Sequence, residues 1–196
     1  MPLARMSIRP QFGGTCFRTS DFLGRQADCK KWNVRKHVPP AKMRSVAELY
    51  LEDLSVGDRF GSDTIAVTEE SIFEFARAFD PQPFHLDEKA AEQSIFKGLA
   101  ASGWHTAAMS MKLFVTGKLK LAGGSIGLGV DELRWPQPVR PGDILKVETE
   151  ILDVRKSRSK PDCGIIRIRN VTTNQRGEIV QTFTAFVMVR RRPQLP

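Results

Sequence analysis

The chain has 196 residues, 41% of them hydrophobic and 27% charged, which is enough for one globular domain and tight for two. Its formal charge of +8 is concentrated at one end: residues 1–45 hold ten of the 30 Lys and Arg and two of the 22 acidic residues, so residues 46–196 are balanced. Net charge therefore gives no reason to expect nucleic acid on the globular part, and the longest apolar run, 185–189, is far short of the ~20 residues that cross a bilayer. Three cysteines (Cys16, Cys29, Cys163) and three histidines (His37, His85, His105) show no metal-ligand spacing, so no metal is expected. The cysteines are expected as free thiols. With no apolar secretory core at the N-terminus, the expected location is the cytoplasm.

In chain order, residues 1–45 lack periodicity and are rich in Arg, Lys, Gly and Pro; they are expected to form a disordered basic extension. Met43 stands just before the first orderly segment and is an alternative start; a targeting peptide and a true polycationic arm are the other accounts. The domain is expected over 46–196. It opens with a turn at Val56-Gly57-Asp58 and a short strand through Ile65-Ala66-Val67. Thr68 suits an N-cap, Glu69 and Glu70 suit the first turn, and Ile72, Phe75, Ala76 and Phe79 form one helical face. Pro81 and Pro83 stop that helix at Asp80.

After the loop Asp80-Pro81-Gln82-Pro83-Phe84-His85 the pattern predicts a short helix over 87–91, then a buried Ala- and Met-rich helix over 99–114 closed by Gly117. One strand follows over 125–135. Three long strands, 144–154, 165–171 and 179–189, then alternate in period two, with Leu145, Val147, Thr149 and Ile151 sharing a face. The whole predicts an α+β fold: an antiparallel sheet with helices on one face.

Chemistry concentrates at two places. Asp80 and His85 sit five apart in a proline-stiffened loop, where a carboxylate and an imidazole aimed at one point can hold a water and move its proton. On spacing alone the ordinary helix-stop loop is the favoured reading, because two such residues five apart make a weak pattern. Gly103, in Ser102-Gly103-Trp104-His105, costs a buried helix about 1 kcal/mol relative to alanine, which close packing or ligand approach to the helix-end amides would explain.

Phe79-Asp80-Pro81-Gln82-Pro83-Phe84-His85, then 98–105 from Gly98 through Ser102-Gly103, then Trp135-Pro136-Gln137-Pro138-Val139-Arg140-Pro141-Gly142-Asp143 together resemble the MaoC-like acyl dehydratases, relatives of the (R)-specific enoyl-CoA hydratases. The resemblance spans roughly 50–191. It implies a hot-dog fold, a curved antiparallel sheet wrapped around a central helix. It also implies reversible hydration of trans-2-enoyl-CoA to 3-hydroxyacyl-CoA, an acyl-CoA substrate without further cofactor, and a homodimer. Asp80 and His85 match the catalytic pair, and Gly103 matches the residue whose N–H polarises the thioester carbonyl, with Ser102 and Gln82 beside them in the substrate-binding group. Two positions depart from the family pattern: Gln82 replaces an asparagine, and Ser102 stands where histidine is common; His105 is a candidate to compensate. The rival readings are a hot-dog thioesterase, a non-catalytic acyl-CoA-binding protein, and nucleic-acid binding through residues 1–45. The cluster Arg155-Lys156-Ser157-Arg158-Ser159-Lys160 is read as a solvated hairpin tip, with contact to CoA phosphates as the alternative.

Overall fold

Alternation of apolar and polar residues drives five strands into one antiparallel sheet, described by a computed structural model that covers residues 48–194. The strands are β1 (Arg59–Ala66), β2 (Ile126–Arg134), β3 (Ile144–Lys156), β4 (Cys163–Thr173) and β5 (Ile179–Arg190), in the order β1-β3-β4-β5-β2. Leu145, Val147, Thr149 and Ile151 are all buried, as their spacing on β3 predicts. The basic extension, the alternative start at Met43, and His37, Cys16 and Cys29 lie outside the described residues.

The helices are α1 (Glu69–Phe79), α2 (Pro83–Leu86), α3 (Glu88–Gln93) and α4 (Gly103–Thr116). Thr68 caps α1 by accepting from the Ser71 amide, and Asp80 ends it. Two boundaries differ from expectation. The Asp80–His85 loop contains a one-turn helix, α2, because Pro83 at its first turn needs no amide partner and presets φ. The buried helix starts at Gly103 rather than at 99, because Ser102 acts as its N-cap and leaves 99–102 outside the helix.

α4 packs against β1 and β3, and its buried residues include Met109, Leu113 and Phe114. Ile151, Ile166 and Ile168 with Phe183 form one core cluster; Val67, Ile72, Leu99, Leu145 and Val180 join Met109 and Leu113 in a second. Each fully buried Leu, Ile or Val contributes about 1.5–3 kcal/mol before entropy is counted. These clusters fix the N-terminal end of α4 over the α1–α2 corner, where the candidate site lies. Among the described residues no helix is long and apolar enough to cross a membrane.

Candidate active site

Three short segments meet at this corner: the end of α1, the one-turn helix α2 and the entry to α4. Asp80 ends α1 with φ −148° and ψ 69°, which turns its side chain out of the helical path. Pro81 and Pro83 then restrict the chain so that His85 returns on α2 toward the same carboxylate. The His85 ring is buried, 4% exposed, between the edge of Phe84 and Phe96.

Hydrogen bonds fix the protonation geometry. His85 Nδ1 lies 2.8 Å from the Ala100 carbonyl oxygen, which can only accept, so Nδ1 carries the hydrogen. In the neutral ring Nε2 is then bare, and it stands 3.6 Å from Asp80 Oδ2. That separation is too long for a direct hydrogen bond and suits one water reaching both atoms.

The carboxylate has its own supports. Ser102 Oγ donates to Asp80 Oδ2 at 2.6 Å, and Gln82 Nε2 donates to Oδ1 at 2.7 Å. Burial pushes the Asp80 carboxyl up, but the Ser102 and Gln82 hydrogen bonds and the adjacent His85 outweigh it and hold the group below its ordinary range. Asp80 is thus kept ionised. The structure brings Asp80, His85, Ser102 and Gln82 together, and gives the last two bonds to Asp80. Gln82, longer than the asparagine of the family pattern, reaches the carboxylate from the adjoining turn.

Gly103 is the first residue of α4, so its N–H lies outside the helix's own ladder. A Cβ there would stand 2.9 Å from two atoms of the Trp135 indole, so close packing of that ring requires glycine. Trp135 Nε1 donates to the Gln181 side-chain oxygen and its ring meets Trp104 edge-on. His105 is buried and stacked on Phe75 at 4.8 Å, and its Nδ1 has no partner among the described residues. Burial alone pushes its pKa down, so the ring is held neutral.

Two further groups complete the site. The Ala100 carbonyl sets the His85 tautomer, and Arg140 binds the carbonyls just before it. A backbone acceptor leaves no residue-type signal, and Arg140 lies in the 135–143 stretch, whose Pro-Gly-Asp reads as a turn. Chemically, a carboxylate and an imidazole nitrogen facing one gap, beside a helix-end amide, form an arrangement able to move a water's proton next to a polarised carbonyl.

Comparisons with known proteins identify the family. Residues 54–174 match the family model "MaoC like domain", and the chain belongs to the MaoC-like dehydratase family, with its hot-dog fold. YdeM of Bacillus subtilis, itself uncharacterized, is 30% identical over 141 residues, covering 72% of this chain and 99% of its own. The MaoC-like dehydratase from Rhodospirillum rubrum is 58% identical with a TM-score of 0.72, covering 74% of this chain and 99% of that one. The R-hydratase PhaJ1 from Pseudomonas aeruginosa is 29% identical with a TM-score of 0.60, covering 76% and 94%.

Proposed function

We propose that the protein reversibly hydrates trans-2-enoyl-CoA thioesters to 3-hydroxyacyl-CoA, with Asp80 and His85 as the catalytic pair. The observation that carries this reading is the facing pair: His85 Nε2 stands 3.6 Å from Asp80 Oδ2 while its Nδ1 is held by Ala100 O. The similarity to an R-hydratase supports the same chemistry.

The pair holds one water over the C2=C3 bond. As its oxygen attacks C3, one member of the pair takes a proton, and the pair returns one proton to C2. The water is thereby divided into C3–OH and C2–H, with no net change in oxidation state and no cofactor demanded. The Gly103 N–H donates to the thioester oxygen as it gains enolate character; one such donor is worth roughly 2.7–4 kcal/mol. Ser102 and Gln82 serve the substrate by holding the carboxylate's orientation and charge.

A homodimer is part of the reading. β2 is an edge strand whose Ile126, Leu128 and Val130 are each about half exposed, and Trp104, Met111 and Val115 form an exposed apolar stripe on α4. A cavity of about 400 Å³ borders both Met111 and Leu128, so strand and stripe belong to one continuous face. Covering that face with a second copy removes an open sheet edge.

Hydration in D₂O tests the chemistry. The product is expected to carry one deuterium at C2 and a hydroxyl at C3, read by NMR. An unchanged enoyl-CoA, or a free carboxylic acid, would overturn the reading in favour of a binding protein or a thioesterase respectively.

A further inference from the structure

Residues 94–102 connect α3 to α4 without regular structure, yet Leu99, Ala100, Ala101 and Ser102 are all buried. Buried backbone groups must be paired, and a segment without a helix or sheet ladder must find many of its partners outside itself. For three of its carbonyls the partner is one side chain. Arg140 donates through Nη1 to the carbonyls of Gly98 (2.6 Å) and Leu99 (3.0 Å), and through Nη2 to that of Phe96. The next carbonyl, Ala100, receives His85 Nδ1.

The segment bends through two consecutive positive φ values, 53° at Lys97 and 141° at Gly98, a conformation that needs outside support at a lysine. Arg140 is itself anchored. Its amide donates to the carboxylate of Asp143, which is 1% exposed, and the neighbouring Val139 carbonyl accepts from the Ala101 amide. The backbone on either side of Ala100 is thus fixed from the 139–143 turn.

We propose that Arg140 is a positioning residue for the hydration: by clamping the carbonyls before Ala100 it places the acceptor that sets the His85 tautomer, and holds the approach to Ser102. This rests on the roles proposed above for Asp80 and His85. Arg140 acts through backbone and touches no substrate. The planar guanidinium fork is what reaches three carbonyls at once; a lysine ammonium offers the charge without that geometry.

The guanidinium also lines an open recess of about 480 Å³ with Glu69, Glu88, Glu92 and Lys97, wide enough to admit a free guanidinium ion beside three carboxylates. That makes chemical rescue a direct test. The full chain labelled with ¹⁵N-histidine is compared with Arg140→Ala and Arg140→Lys at a pH where the His85 ring is neutral. The wild type is expected to show a protonated Nδ1 and a bare Nε2. In Arg140→Ala the two shifts should converge as both tautomers populate, with kcat lowered about 10²-fold and KM little changed. Millimolar guanidinium should restore both signals in Arg140→Ala and leave the wild type unaffected; Arg140→Lys should behave as Arg140→Ala without rescue. Unchanged His85 shifts in folded variants would overturn the proposal, as would variants that unfold and are not restored by guanidinium. If the wild type proves inactive as a hydratase, the His85 shifts still decide the role of Arg140.

Discussion

At the residue scale the site is organised around keeping one proton off Asp80 and one on His85 Nδ1. Asp80→Asn and His85→Ala each remove half of the pair, and each should lower kcat by about 10²–10⁴-fold while circular dichroism stays that of the folded chain. Wild-type turnover in either variant would remove that residue from the mechanism. Ser102→Ala is more specific. Without the Ser102 hydrogen bond, burial of Asp80 is less well opposed and its pKa rises, so the acid limb of kcat/KM should move to higher pH. The paired carboxylate also stabilises the fold above its unfolded pKa, an increment lost as pH falls through the lowered folded value. His105 acts in the same pH direction through a different group. Its folded pKa lies below the ordinary 6.5, so the unfolded chain binds the extra proton first and stability falls as pH drops through that range. His105→Leu should flatten this part of a thermal-melt pH series; an unaltered slope would show that another group carries it.

At the element scale α4 carries most of the design. Its start depends on Ser102 as cap, and its first residue must be glycine because the Trp135 ring occupies the space of a Cβ. Gly103→Ala should cost about 1–3 kcal/mol through this overpacking, measured by denaturant titration. It should also shift the donor amide, raising KM or lowering kcat in the same variant. The strands were legible in the sequence because alternation on β3 and β4 survives into the burial pattern. Helix α1 was legible too, since Thr68 and the two prolines mark both ends. The start of α4 was not: Leu99, Ala100 and Ala101 suit a buried helix, and the Ser102 cap leaves them outside it. The Asp80–His85 pairing was visible as a spacing, and the three-part motif sharpened it. The hydrogen bonds that orient it were not visible. Ser102 to Asp80 spans 22 residues and Arg140 to Gly98 spans 42, and no local periodicity connects such positions.

At the scale of the whole molecule, the sheet ends at β2 in an uncovered apolar edge, which a lone chain in water would expose to association. Light scattering should therefore find two 22.0 kDa chains per particle, and Val130→Lys should weaken the pair by placing a charge on that edge. A monodisperse single chain would leave the apolar face unexplained by self-association. The charge balance of residues 46–196 agrees with a partner chosen by shape and apolar contact rather than by net charge.

The central claim is addition of water to an enoyl thioester, and one measurement tests it most directly. The full chain is mixed with trans-2-enoyl-CoAs of increasing chain length while enoyl absorbance and free thiol are followed together. The account predicts loss of absorbance with no thiol released, slowed in parallel by about 10²–10⁴-fold in Asp80→Asn and His85→Ala. Stoichiometric thiol release would contradict it, and so would unchanged absorbance across the panel with CoA esters bound.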